Sequence, residues 1–104
     1  MQLPLARTDY AENIYWVFGL LLEDELGMDA VEAMSRLAEK GIGTRPFFCP
    51  MHMQPVLQRM GFFEGEHYPV AERLYRQGFY TPSGMALTDE QMIEVTKAVR
   101  EVLR

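Results

Sequence analysis

The sequence predicts an α+β fold: a short, mainly antiparallel sheet covered by helices on one face. Three observations predict it. Apolar residues recur at helical spacing in several segments that open and close with capping residues. Between them lie short runs rich in aromatic and β-branched residues, the composition of strands. The resulting order is strand, helix, strand, helix, helix, short strand, helix, and laying the helices on one sheet face is the economical way to bury their stripes.

Met1 to Thr8 carries Pro4 and little pattern, so residues 1–9 read as a loosely held leader and 10–104 as one domain. From Tyr10 to Leu22 the chain is apolar and aromatic. Ile14, Tyr15, Trp16, Val17 and Phe18 predict a long strand covered on both faces, stopped by Glu23-Asp24-Glu25. Asp29 is a good N-cap with Glu32 in capping-box position, and Val31, Met34, Leu37 and Ala38 form the stripe of a helix over 30–40. Gly41 is its expected terminator. Ile42 to Phe48 predicts a second strand, and Met53 to Met60 a short helix with Pro55 in its first turn and Gly61 at its close. A loop over 62–68 leads to a helix opened by Pro69 and stopped by Gly78. Phe79-Tyr80-Thr81 then predicts a short strand. Thr88, with Gln91 as capping-box partner, opens the last helix through Met92, Val95, Val99 and Leu103.

With 104 residues, 48% hydrophobic and 24% charged, the chain has the make-up of one ordinary globular domain. Its longest apolar run, Ile14 to Leu22, is nine residues, half of what a membrane helix needs. A net charge of −5 and eight scattered arginines argue against nucleic acid and anionic membranes as partners. One cysteine, Cys49, excludes an internal disulfide and fits a reducing compartment, the cytoplasm being the default.

Special-purpose residues concentrate in Gly41 to Pro55. Two glycines and three prolines fix the path there, around Arg45, Phe47, Phe48, Cys49, His52 and Gln54. Arg45 has two readings, a planar cation aimed at a carboxylate or phosphate and a surface arginine paired with an acid. His52 is either an acid–base or hydrogen-bonding group or a packed half-core residue. Phe47 and Phe48 either meet a ring-shaped ligand or pack. Cys49 reads as structural, and two histidines with one cysteine give no metal-ligand spacing. From the residues alone, function stays open.

The run from Glu39 to Val56, with Arg45-Pro46-Phe47-Phe48-Cys49-Pro50-Met51-His52-Met53-Gln54-Pro55, resembles the C-terminal small domain of the DegT/DnrJ/EryC1/StrS sugar aminotransferases. Tyr68 to Leu74, then Pro82-Ser83-Gly84 with Leu87 to Gln91, follow in the same order. The Arg-Pro-Phe-Phe and Pro-Met-His wording is similar to the GDP-perosamine synthase branch, which serves polysaccharide biosynthesis. The resemblance implies a small domain of the aspartate-aminotransferase fold, from enzymes that use pyridoxal phosphate to move an amino group, usually from glutamate, to a keto carbon of a nucleotide-linked sugar. It also implies a substrate-facing loop: Arg45 on a carboxylate or phosphate, His52 and Gln54 on sugar or phosphate hydroxyls, Phe47 and Phe48 packing or touching the base. The family's large domain, with its Schiff-base lysine, has no counterpart here, and neither Lys40 nor Lys97 stands in the family's lysine motif. The expectations are therefore no cofactor or catalytic residue in this chain, inactivity alone, and partnership with a large domain or a full-length homologue. Self-association through uncovered apolar surface is expected as well. A non-catalytic nucleotide-sugar-binding or interaction module is the alternative, and a small enzyme built on Cys49 and His52 is a third reading.

Overall fold

In the computed structural model, which describes residues 1–104, three strands and four helices follow the expected order. β1 spans Phe18–Leu21, α1 Ala30–Glu39, β2 Arg45–Pro46, α2 Pro55–Arg59, α3 Pro69–Gln77, β3 Gly78–Thr81 and α4 Asp89–Val102. Single 3-10 turns occupy Asp24–Leu26 and Met51–Met53. The sheet is antiparallel throughout, in the order β1-β3-β2.

The helix ends follow their local chemistry. Asp29 accepts from the Glu32 amide at 2.9 Å and opens α1, but the Glu32 carboxylate pairs with Arg36 one turn on, so the reciprocal half of the expected capping box is not made. Gly41 takes the left-handed φ of 78° that ends α1. Both halves of the Thr88–Gln91 box are made at the start of α4.

Sheet register decides which residues face the core. Leu20 is opposite Phe79, and this face packs with Ala30, Ala33 and Leu37 of α1 and Ala98, Val99 and Val102 of α4 in one buried cluster. The other face carries Gly19, Tyr80 and Arg45 in register. There the Phe47 ring lies against two glycines, since a Cβ on Gly19 would come within 3.0 Å of the ring and one on Gly78 within 2.3 Å. The ring stacks obliquely on Tyr80 at 4.6 Å.

Two expected strands are shorter than their sequence patterns. The run over 10–22 becomes a strand only at Phe18, because Tyr15 has a φ of 50° that no strand tolerates. Asn13 holds that bend, its Oδ1 accepting from the Tyr15 amide at 2.7 Å and its Nδ2 donating to the Leu5 carbonyl at 3.0 Å. Ile14 and Trp16 are 88% and 82% exposed, so the expected cover on both faces is absent from this chain. The second strand is two residues instead of the run over 42–48. Its only partner, β3, has four residues, and Pro46 lacks the N–H a longer ladder needs. The leader is tied down at its start, where Gln2 and Leu21 exchange backbone hydrogen bonds of 2.8 and 3.1 Å.

Candidate functional site

The stretch after α1 divides into an inward and an outward half. Inward, His52 is 7% exposed, and its Nε2–H donates to Glu72 Oε1 at 2.9 Å, which fixes the ring's tautomer. Glu72, on the first turn of α3, also accepts from the Tyr68 amide at 2.9 Å, and His67 Nδ1 lies 3.7 Å from the same oxygen. The Tyr68 amide, and then the His52 hydrogen bond, hold the Glu72 carboxyl below its ordinary value. The His52 ring meets Tyr68 edge-on at 4.9 Å. Gln54 Nε2 donates to the Cys49 carbonyl at 3.0 Å, and Gln58 Nε2 to the His52 carbonyl at 3.0 Å. These bonds clamp the loop onto α2 and α3. Cys49 is half-buried and only its own neighbour's carbonyl, that of Pro50, accepts from the thiol.

Outward, Arg45 stands on edge strand β2 with no acidic group in ion-pair range and no hydrogen bond to its guanidinium. It lines a cleft of about 490 Å³ with Val17, Gly43, Thr44, Tyr80, Thr81, Pro82 and Ser83. Thr81 donates its hydroxyl to the Phe18 carbonyl at 3.2 Å and Ser83 to that of Trp16 at 3.1 Å, which pins the Pro82-Ser83-Gly84 turn against the chain entering β1. Phe48 is 87% exposed, with its ring edge toward Tyr80 at 6.5 Å.

Of the five residues singled out from sequence, Arg45 thus faces the cleft and Phe48 solvent close to it. Phe47 buttresses Tyr80 from the sheet side, while His52 and Gln54 spend polar atoms on the loop's own framework. Thr44, Tyr80 and Glu72 carried no functional assignment in the sequence. Glu72 had a usable signal in its place just inside the Pro69 helix start, where a carboxylate favours free amides. Tyr80 had none, because its neighbourhood is made by strand pairing.

Comparison with known proteins agrees with this framework. The model of the DegT/DnrJ/EryC1/StrS aminotransferase family matches residues 2–100. The chain belongs to this family. It is 31% identical over 94 residues to the putative pyridoxal phosphate-dependent aminotransferase EpsN of Bacillus subtilis, covering 88% of this chain and 24% of the relative. The GDP-perosamine synthase of Escherichia coli O157:H7 is 31% identical over 89 residues, 86% of this chain and 23% of the synthase. That of Vibrio cholerae is 27% identical over 86 residues, 83% of this chain and 23% of the synthase. The chain therefore spans about a quarter of the length of the curated relatives it matches. Helicobacter pylori PseC, an aminotransferase of pseudoaminic acid biosynthesis, shares the fold with a TM-score of 0.74 at 16% identity, over 84% of this chain and 23% of PseC.

The residues present do not fit a covalently held pyridoxal phosphate. Such a group needs a lysine set in a shielded pocket beside it. Lys40 Nζ is bonded at 2.6 Å to Glu101 on the surface between α1 and α4, and Lys97 lies on the exposed side of α4. Neither lines the cleft. No helix is long and apolar enough to cross a membrane.

Proposed function

We propose that this chain is the small domain of a nucleotide-sugar aminotransferase, and that it walls a substrate pocket while a larger domain supplies pyridoxal phosphate and the lysine that holds it. The transfer would run from glutamate to a keto carbon of a nucleotide-linked sugar, in the cytoplasm and in the service of polysaccharide synthesis. The observation that carries the reading is the family match over residues 2–100, which falls on about a quarter of relatives that include two GDP-perosamine synthases. The placement of both lysines supports inactivity of this chain alone. Exposed Tyr10, Ile14 and Trp16, continuous with the chain entering the sheet, support a partner that covers them, either the large domain or a full-length homologue. In this reading Arg45 and Phe48 face the substrate, and His52 and Gln54 hold the loop that presents them.

An immunoblot of source-cell lysate with an antibody against this sequence tests the reading. A reactive polypeptide about four times the 12.0 kDa of this chain is the expected result. Reactivity confined to 12.0 kDa would replace the reading with the alternative, a module that binds a nucleotide sugar or another protein without catalysis. Light scattering adds a second check. The purified chain should self-associate with rising concentration, and a concentration-independent monomer mass counts against uncovered partner surface.

A further inference from the structure

Helix α4 turns one stripe to the core and leaves another without a partner. Ala98, Val99 and Val102 are buried, and Val95 packs beside them. The stripe on the far side runs Asp89, Ile93, Thr96 and Arg100. Its steps of four, three and four residues are those of the seam between two paired helices. Met92 and Lys97 flank the seam, and the six residues line a groove of about 530 Å³ in which Met92 and Ile93 are exposed. No ion pair or side-chain hydrogen bond engages Asp89, Lys97 or Arg100. The Thr96 hydroxyl donates to the Met92 carbonyl at 2.8 Å, so covering this residue strands no polar hydrogen.

We infer that this face is self-complementary, and that its partner is the same face of a second copy of this chain, with the two helices antiparallel. The helix is acidic in its first turn, at Asp89 and Glu90, and basic toward its end, at Lys97 and Arg100. A two-fold axis crossing the helix between positions 94 and 95 sets Asp89 opposite Arg100 of the second copy. The same axis sets Ile93 opposite Thr96 and Met92 opposite Lys97, and every pairing occurs twice. A parallel pair would set Asp89 against Asp89 and Arg100 against Arg100, so charge selects the antiparallel arrangement. Between the charged ends the contact is apolar. Ile93 meets the Thr96 methyl, and the Lys97 stem lies over Met92 with its ammonium left in water. Any other occupant would need this charge order reversed along its own helix, and the chain itself supplies it. One helix pair buries less than the roughly 1,200 Å² of a stable interface, so the dimer is weak and depends on concentration. None of the six residues lines the Arg45 cleft or belongs to the Tyr10–Trp16 segment, so the inference does not rest on the aminotransferase reading.

Sedimentation equilibrium of the 104-residue chain over a wide concentration range is the test, with amide-resolved NMR at matching concentrations. A reversible monomer–dimer equilibrium is expected, with the concentration-dependent shifts centred on residues 89–100. Arg100→Glu turns both end pairs into like charges and should raise the dissociation constant about tenfold or more. The double variant Asp89→Arg/Arg100→Glu restores opposite charges in reversed order and should return the constant to within about threefold of the parent. Far-UV circular dichroism certifies that α4 is intact in each variant. Trp16→Ser should leave the constant unchanged. A monomer at every concentration overturns the inference, as does a dimer indifferent to Arg100→Glu or a double variant no tighter than the single one. Association lost in Trp16→Ser but kept in Arg100→Glu also overturns it and moves the contact to the Tyr10–Trp16 segment. None of these outcomes bears on the size of the parent polypeptide, so the inference and the aminotransferase reading stand or fall separately.

Discussion

Replacing Gly78 by alanine isolates one packing contact that holds the cleft in shape. Gly78 has φ −101° and ψ 140°, ordinary extended backbone, so alanine meets no conformational penalty there. The methyl alone is new. It would stand 2.3 and 2.5 Å from two carbons of the Phe47 ring and 2.5 Å from the Leu74 carbonyl oxygen. Neither neighbour yields readily: the ring also abuts Gly19 and Tyr80, and the carbonyl accepts the Gly78 amide at the end of α3. Overpacking of this kind costs about 1–3 kcal/mol, and two blocked directions place the substitution near 3. Removing a glycine from a strand returns about 0.5–1 kcal/mol, which leaves a net loss of about 2 kcal/mol. For a chain of this size that is a fall of about 8–16 °C in Tm. Urea unfolding followed by far-UV circular dichroism measures it, with the slope unchanged if only the folded state is affected. The double variant Gly78→Ala/Phe47→Ala should be more stable than the sum of the single losses by about 1 kcal/mol, since the ring clash vanishes and only the carbonyl contact remains. A Gly78→Ala midpoint within about 0.5 kcal/mol of the parent, or strict additivity, would refute the wedge.

Thr88→Ala removes the half of the α4 capping box in which the Thr88 hydroxyl accepts from the Gln91 amide, leaves the backbone amide of residue 88 donating to the Gln91 side chain, and should cost about 1 kcal/mol in urea unfolding; an unchanged midpoint would mean that the hydroxyl does not hold the start of α4. Acid should destabilise the fold partly through Glu72. Its carboxyl is held below the ordinary 4.5 by the Tyr68 amide first and by His52 second, so the charged form is favoured by folding. The stability it supplies is present above 4.5 and is lost as pH falls through the lower, folded value. Glu90 and Glu101 are shifted in the same direction, so Glu72→Gln should flatten only part of the acid limb in thermal melts between about pH 6 and pH 3. An acid limb unchanged in that variant would remove Glu72 from the account.

Helices were the legible part of this fold because their signals are local. Asp29, Gly41, Pro69, Gly78 and Thr88 each mark an end by what their own backbone or side chain does, so α1 and α3 start and stop, and α4 starts, where those residues place them. Strand lengths were less legible because pairing sets them. β2 has the composition of a longer strand, but β3 offers it few residues and Pro46 no amide. The site was split by the same rule. His52 and Arg45 are seven positions apart in one conspicuous stretch, yet only the fold shows that the histidine turns in to Glu72 while the arginine stays unpaired over the cleft. No spacing rule links Thr44 and Arg45 to Tyr80, more than thirty residues on; the β2–β3 register does.

The apolar run from Ile14 to Val17 bears on the proposal that a larger domain covers this one. Its composition is that of a strand buried on two sides, but Asn13 and the left-handed Tyr15 turn it away from the sheet, and Ile14 and Trp16 stand in solvent. A non-glycine residue in that conformation costs about 1–2 kcal/mol. Within these 104 residues the bend gains the two Asn13 hydrogen bonds and a stacked Tyr15–Phe18 contact at 5.7 Å, while the outward side chains of Ile14 and Trp16 add no burial to offset its strain. The overall dimensions agree. The radius of gyration is 15.8 Å, where a compact domain of this length has about 13 Å. Only ten apolar residues form the buried cluster, in a chain that is 48% hydrophobic. A segment that costs strain, projects from the body and carries tryptophan and isoleucine outward is what an interface requires. Its lower end also lies at the Arg45 cleft, through Val17 and the Trp16 carbonyl that holds Ser83. If the proposed large domain seats on that segment, it would therefore close the side of the cleft as it docks.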